Sequence, residues 1–75
     1  MGIANVKVTR GLPFLKRGMK VYQHHNKRFG VITSGNDSRN INVRFDGDKF
    51  AVNCHPKWQI KYFDTDGKIL ADFHD

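Results

Sequence analysis

The chain has 75 residues, 39% of them hydrophobic, with six phenylalanines, two tyrosines and one tryptophan. This composition suits one folded domain over residues 1–75 and excludes a disordered chain, and no apolar run approaches the roughly 20 residues of a membrane-spanning helix. Thirteen lysines and arginines against seven acids give a net charge of +6, which favours a polyanionic partner such as nucleic acid.

Apolar and polar residues alternate with a period of two in several short runs, which is the pattern of half-buried β-strands. In chain order the runs are NVKVT (5–9), MKVYQHH (19–25), FGVITS (29–34), INVRF (41–45), KFAVNC (49–54), QIKYFD (59–64) and KILADF (68–73). Turn-forming clusters such as GNDSRN and DGD separate them. The last run pairs back as a terminal β-hairpin or extends the end of the chain. Apolar residues never repeat at helical spacing over three turns, so the chain is predicted to be all-β.

Five or six short antiparallel strands joined by tight turns predict a small barrel, because closure removes the unpaired edges of a sheet. The side chains predicted to fill this barrel are Val21, Val31, Ile41, Val43, Phe45 and Val52. Alternation along the strands then places Tyr22, His24, Asn42 and Arg44 on the outer surface.

The stretch LKRGMKVYQHHNKRFGVIT followed by INVRFDG resembles the SH3-like small barrels of the Tudor and KOW type, over about residues 15–62. The matching positions are Gly18, Val21, Gly30, Val31, Val43, Phe45, Asp46 and Gly47. The link His55-Pro56-Lys57-Trp58 is similar to the single-turn helix that such barrels place before their fifth strand. The resemblance implies an SH3-like barrel whose outer strand face contacts RNA, DNA or the ribosome.

Residues on and beside the outer face of the second to fourth runs combine an aromatic ring with cationic and amide groups. They are Lys20, Tyr22, His24, Lys27, Arg28, Arg39, Asn42 and Arg44. Single-stranded nucleic acid is bound by stacking surfaces together with groups that neutralise phosphate. We therefore predict a non-enzymatic module that binds RNA or DNA, with weak sequence specificity. A solvated strand face without a ligand is the simpler alternative.

Trp58, Tyr62 and Phe63 form a second aromatic group near the end of the chain. As core residues they would close one end of the barrel, which is the interpretation we favour. As exposed aromatic side chains they would bind a protein partner or a second copy of the chain. A protein-interaction adaptor or a homo-oligomer is therefore the alternative function.

The sequence predicts no enzyme, no metal site and no cofactor. His24 and His25 are adjacent and would face opposite ways on a strand, while Cys54, His55 and His74 follow no zinc-ligand spacing. Cys54 and His55 also face apart, so they predict no nucleophile–base pair.

The single cysteine excludes an internal disulfide, and the first residues lack the apolar stretch of a signal peptide. Both features favour a cytoplasmic location.

Overall fold

One antiparallel sheet carries most of the regular structure in the computed structural model, which describes residues 2–74. The elements are α1 (Ile3–Thr9), β1 (Lys20–Gln23), β2 (Arg28–Gly35), β3 (Ile41–Phe45), β4 (Val52–Cys54), β5 (Ile60–Phe63) and β6 (Ile69–Phe73). The six strands lie in the order β4-β3-β2-β1-β5-β6. Over this part of the chain β4 and β6 form the two edges and do not pair with each other, so the sheet is open. The predicted predominance of antiparallel β-structure is confirmed, whereas the strands described here do not close into the predicted barrel.

The sheet curves around its own buried face. Gln23 Nε2 on β1 lies 3.9 Å from Cys54 Sγ on β4, although β2 and β3 separate these strands. In a flat sheet strands three places apart would be about 14 Å from each other. The buried residues form one cluster on the concave side: Val6, Leu12, Leu15, Met19, Val21, Ile32, Ile41, Val43, Phe45, Cys54, Ile60 and Tyr62. The convex side is left to solvent, and it carries the candidate site.

The inward residues of β1 and β3 follow the predicted alternation. β3 spans Ile41–Phe45, the five residues of the INVRF run, with Ile41, Val43 and Phe45 buried. Val21 and Gln23 of β1 are likewise buried. The terminal hairpin is also confirmed, because β5 and β6 pair over Ile60–Phe63 and Ile69–Phe73.

The N-terminal run forms a helix, so the predicted strand at 5–9 is wrong. In α1, Val6 is fully buried while Val8 is 83% exposed, because residues two apart lie on nearly opposite sides of a helix. The helix packs on β2 at Gly35, where an added Cβ would lie 2.8 Å from Val6 Cγ2. Between residues 2 and 74 no helix is long and apolar enough to cross a membrane.

The inward-facing positions of β2 are shifted by one residue from those predicted. Val31 was expected inside, but Gly30 and Ile32 are buried and Val31 is half-buried on the convex face. Gly30 faces Val43 and Phe45 so closely that an added Cβ would lie 2.7 Å from Val43 Cγ1. The absence of a side chain at this position lets β2 and β3 approach. As a consequence Phe29 points outward.

β4 is shorter than the predicted strand at 49–54. Only Val52–Cys54 pair with β3, and Cys54 alone is buried. Phe50 is 79% exposed and Val52 is 47% exposed, so the prediction that Val52 fills the core is wrong. The chain turns at Gly47, which has a φ of 91°, and the residues before β4 lie outside the sheet.

Candidate nucleic-acid interface

Three aromatic rings lie side by side on the convex face of the sheet. Tyr22 on β1 is directly opposite Phe29 on β2, and their ring centroids are 4.7 Å apart. Phe63 on β5 extends the row, with its ring centroid 6.0 Å from that of Phe29. All three point outward because their neighbours Val21, Gly30 and Tyr62 are buried. We call Tyr22, Phe29 and Phe63 the aromatic strip.

Two lysines lie over the aromatic strip. The Lys20 ammonium is 4.5 Å from the centroid of Phe29 and 6.0 Å from that of Phe63. The Lys61 ammonium is 5.6 Å from the Tyr22 centroid. Such contacts contribute about 0.5–1 kcal/mol each at exposed sites, so these side chains remain free to move toward a ligand. Over residues 2–74 neither lysine forms a salt bridge.

A shallow groove of about 670 Å³ adjoins the strip at Lys20 and Phe63. One wall is the basic segment before β1, and the other is the β5–β6 turn. The lining residues are Lys16, Arg17, Gly18, Met19, Lys20, Phe63, Asp64, Thr65, Asp66 and Gly67. The Asp64 carboxylate accepts backbone N–H bonds from Asp66 and Lys68 at 2.9 Å. The groove therefore continues the strip between a basic wall and a turn that carries Asp64 and Asp66.

Arg44 extends the same face on the other side of Lys20. Lys20 pairs with Val31 across β1 and β2, and Val31 pairs with Arg44 across β2 and β3. The Cα atoms of Lys20 and Arg44 are therefore about two strand spacings, ~10 Å, apart. Arg44 is exposed. The structure thus brings Lys20, Tyr22 and Arg44 of the predicted site onto one surface.

Arg28 belongs to the predicted site but is engaged elsewhere. Its guanidinium donates to the Asp46 carbonyl and forms a 3.0 Å ion pair with the Asp48 carboxylate. The same group lies 5.7 Å from the centroid of the Phe45 ring. Arg28 therefore holds the turn after β3 and has its charge neutralised there. Lys27 precedes it in the β1–β2 turn, where it is exposed and has a φ of 57°.

Asn42 and Arg39 lie at the far end of β2 and β3. The Asn42 amide donates to Ser34 Oγ at 2.9 Å and accepts from Asn36 at 3.1 Å, so both of its polar atoms are used within the fold. The Arg39 carbonyl accepts a 2.9 Å bond from Arg10 Nε, which ties this loop to the end of α1. The Arg39 side chain is exposed. Neither residue is brought to the aromatic strip.

Trp58, Tyr62 and Phe63, the second predicted aromatic group, have different environments in the structure. Tyr62 is fully buried, and its hydroxyl donates a 2.6 Å bond to the Pro56 carbonyl. Burial raises the pKa of Tyr62 well above its ordinary value of 10.0. Trp58 is 47% exposed and its ring lies 5.1 Å from that of His25. Tyr62 is thus a core residue, as the favoured interpretation expected, whereas Trp58 is partly exposed and Phe63 lies beside Phe29. The three residues do not form one surface.

The Cys54 thiol is buried and burial raises its pKa, which keeps it in the unreactive thiol form. His55 follows it on the exposed surface, where its Nδ1 accepts the Lys57 N–H at 3.0 Å. Desolvation, followed by the charges of Arg10 and Lys57, lowers the pKa of His55. An imidazole that activates a cysteine lowers the pKa of the thiol, whereas the pKa of Cys54 is raised.

His24 takes part in a cluster that the sequence did not predict. Its Nε2 is 2.7 Å from Asp72 Oδ1, and its ring centroid is 4.5 Å from that of His74. The hydrogen bond from His24, followed by weaker charge effects that burial partly opposes, lowers the pKa of Asp72. His24 also contacts Tyr22, with centroids 5.4 Å apart. The cluster therefore borders the aromatic strip.

Sequence reasoning missed four contributors to this surface: Lys16, Arg17, Phe29 and Lys61. The sequence prediction places Val31 in the core. Because residues two apart on a strand share a face, it places Phe29 inside as well. Gly30 indicates the correct inward face of β2, because a glycine within a strand often marks a position where another part of the chain approaches closely. Lys61 lies between Ile60 and Tyr62 in the last predicted core strand, so its outward direction also followed from alternation. The position of Lys16 and Arg17 beside Phe63 depends on tertiary structure.

Comparison of the chain with protein-family models, with curated proteins and with solved structures finds no match. The residues and their geometry therefore carry the functional proposal.

Proposed function

We propose that the protein binds single-stranded nucleic acid on the convex face of its sheet. The observation that carries this proposal is the aromatic strip with Lys20 and Lys61 over its rings. Bases stack on aromatic side chains whatever their sequence, because every base has a π-face. Adjacent cations neutralise the phosphates. The combination supports a binding module without catalytic chemistry.

We also propose that this open, curved sheet is an incompletely closed form of an SH3-like small barrel. The pairing of β1 with both β2 and β5 supports this, because it makes the first strand the centre of a continuous curved sheet. The contact of Gln23 on β1 with Cys54 on β4 supports strong curvature. The resemblance to Tudor- and KOW-type barrels fits the same arrangement and favours RNA or DNA as the ligand.

Binding requires Lys20 to leave its resting position. Its ammonium covers Phe29 in the free protein, and an incoming base would take that place on the ring. The cost of separating an exposed lysine from a ring is about 0.5–1 kcal/mol, which is less than the roughly 1–3 kcal/mol that base stacking contributes. Lys20 then becomes available to a phosphate. The long flexible side chain makes this exchange possible without movement of the backbone.

Sequence specificity is expected to be weak. Asn42, the amide best suited to read a base edge among the predicted residues, has its side chain bonded to Ser34 and Asn36. The groups nearest the strip are ammonium ions and rings, which recognise phosphates and π-faces rather than base edges. Affinity should therefore depend on salt more than on base sequence.

Salt dependence tests the phosphate contribution. If three to four of the five candidate cations Lys16, Arg17, Lys20, Arg44 and Lys61 contact phosphates, log K should fall against log salt with a slope of about −2 to −3. Binding of a fluorescent 12-nucleotide single strand should then weaken roughly 15- to 60-fold between 50 and 200 mM salt. Fluorescence anisotropy at several salt concentrations gives the slope.

Removing one interface charge should lower that slope. Lys20→Gln is expected to reduce its magnitude by about 0.7, while the matched change Lys57→Gln should leave it unchanged. Lys57 is exposed in the β4–β5 connection beside His55, away from the strip. A salt-independent affinity, or equal effects of the two variants, would contradict phosphate binding by this face.

Self-association is the second candidate function, and the two sheet edges favour it. β4 and β6 are the edge strands, and they expose Val52 (47%), Ile69 (51%) and Leu70 (37%). Unpaired strand edges with apolar side chains are suited to pairing with another strand. Sedimentation of the protein as a monomer at high micromolar concentration would remove this candidate.

The proposed cytoplasmic location is compatible with either function and is supported by the unpaired thiol of Cys54.

A further inference from the structure

The strand register places two histidines and one aspartate on the same part of the convex face. Asp72 on β6 pairs with Lys61 on β5, which in turn pairs with Tyr22 on β1. His24 and His74 follow directly after β1 and β6, two residues beyond Tyr22 and Asp72. Their rings lie beside those two residues. One potential ligand atom from each of His24, Asp72 and His74 lies within 4.8 Å of the other two. The three come from chain positions up to 50 residues apart.

The donor set is one that first-row transition ions prefer. Two imidazole nitrogens and one carboxylate oxygen suit Zn²⁺, Co²⁺ and Ni²⁺, whereas Mg²⁺ and Ca²⁺ prefer oxygen donors alone. Three protein ligands also leave coordination positions open for water, as in many zinc sites. Exposed side-chain fractions of 21% for His24, 33% for Asp72 and 57% for His74 leave the cluster accessible to an ion.

We propose that His24, Asp72 and His74 form a binding site for a divalent transition-metal ion of the zinc class. The site does not depend on nucleic-acid binding. It joins the end of β1 to the end of β6, an edge strand whose backbone, within residues 2–74, pairs only with β5. A bound ion would therefore fasten the last strand across β5 to β1.

Small side-chain movements are enough to form the site. A zinc ion bound at about 2.0–2.1 Å to each ligand places the ligand atoms roughly 3.3 Å apart. His24 Nε2 and Asp72 Oδ1 are already closer than this, at 2.7 Å, and His74 Nε2 is 3.9 Å from Asp72 Oδ2. His74 is the most exposed of the three and follows the last residue of β6, so rotation of its side chain closes the remaining gap.

Metal binding changes one proton position. Asp72 accepts the hydrogen bond as a carboxylate, so His24 donates it from Nε2–H. An ion needs the lone pair of that nitrogen. The proton therefore moves to Nδ1 when the imidazole is neutral, or leaves to solvent when it is charged. Asp72 remains a carboxylate throughout.

Calorimetric titration of the full chain with Zn²⁺, and absorption spectroscopy with Co²⁺, test the proposal. We expect one ion per chain, a visible Co²⁺ d–d band and a higher melting temperature with Zn²⁺. His74→Ala and Asp72→Asn should each weaken Zn²⁺ binding at least tenfold and abolish the band. Mg²⁺ and Ca²⁺ should produce no heat and no stabilisation.

His25→Ala is the matched control, because His25 is adjacent in sequence but contacts Trp58. It should bind Zn²⁺ as tightly as the unchanged chain. Lys61→Ala separates this proposal from nucleic-acid binding, since loss of the positive charge beside Asp72 should leave Zn²⁺ binding equal or tighter while it weakens oligonucleotide binding. Zn²⁺ binding that survives His74→Ala and Asp72→Asn, or that is lost in His25→Ala, would overturn the site.

Discussion

Replacing Phe29 by alanine is expected to weaken binding of a single-stranded oligonucleotide by about tenfold, with a range of roughly 5- to 150-fold set by the 1–3 kcal/mol of one base–aromatic stack. Phe29 is the middle ring of the aromatic strip, in contact with Tyr22 and Phe63, and is 40% exposed. Its loss removes one stacking surface and separates the other two. Anisotropy titration at fixed low salt measures the effect.

Phe50→Ala is the matched control for this experiment. Phe50 is 79% exposed and lies before β4, outside the sheet. Removing this ring should leave the affinity within twofold of the unchanged chain. Thermal unfolding of both variants separates lost stacking from lost folding. Equal losses of affinity in the two variants would show that general hydrophobicity, rather than the aromatic strip, governs binding.

Replacing Gly30 by valine is expected to lower the free energy of unfolding by about 3 kcal/mol, at the upper end of the usual cost of overpacking. The first added atom alone would lie 2.7 Å from Val43 Cγ1 and 3.0 Å from the Arg44 carbonyl oxygen. Both neighbours belong to β3, so relief requires β2 and β3 to separate. For a domain of this size that change is a large fraction of the total stability. Urea unfolding followed by circular dichroism measures it.

Val31→Ala tests the same register from the other face. Because Val31 lies on the convex side opposite Arg44, its truncation should cost less than about 1 kcal/mol, which is typical of surface positions. A cost of 2 kcal/mol or more, together with a tolerated Gly30→Val, would indicate that Val31 is the core residue. Phe29 would then point inward, and the aromatic strip could not exist as described.

Alternation was sufficient to predict the strands that have one clear buried face. In β3 every second residue is apolar, so both its inward residues and its bounds, Ile41–Phe45, followed from the sequence. In β1 the inward residues Val21 and Gln23 followed from alternation, but the strand is shorter than the predicted run at 19–25. β2 was harder, because Val31 and Ile32 are adjacent and either could be buried. The close approach at Gly30 decides between them, and that approach depends on Val43 and Phe45 of another strand.

The N-terminal helix could not be predicted from alternation. Val6 and Val8 are as compatible with a strand as with a helix, and a segment of seven residues is too short for helical periodicity to be distinct. What decides is the space above Gly35, into which Val6 packs. β4 is a similar case, because Phe50 and Val52 fit the pattern of a strand but lie beyond the buried part of the sheet.

Part of the candidate site followed from the sequence and part did not. Lys20, Tyr22 and Arg44 share a surface because they alternate with buried residues on paired strands. Arg28 is directed away by Asp48, a partner that only the turn after β3 brings near. The contacts of His24 with Asp72 likewise depend on the pairing of β6, 48 residues later in the chain.

An NMR titration of the labelled protein with a short single strand shows directly whether the convex face around Tyr22, Phe29 and Phe63 binds single-stranded nucleic acid. We expect the largest chemical-shift changes on the aromatic strip and on Lys16, Arg17, Lys20, Arg44 and Lys61. Resonances of Phe50, Val52 and Lys57 should stay in place. Changes confined to those three residues, or no changes at saturating oligonucleotide, would contradict binding by this face.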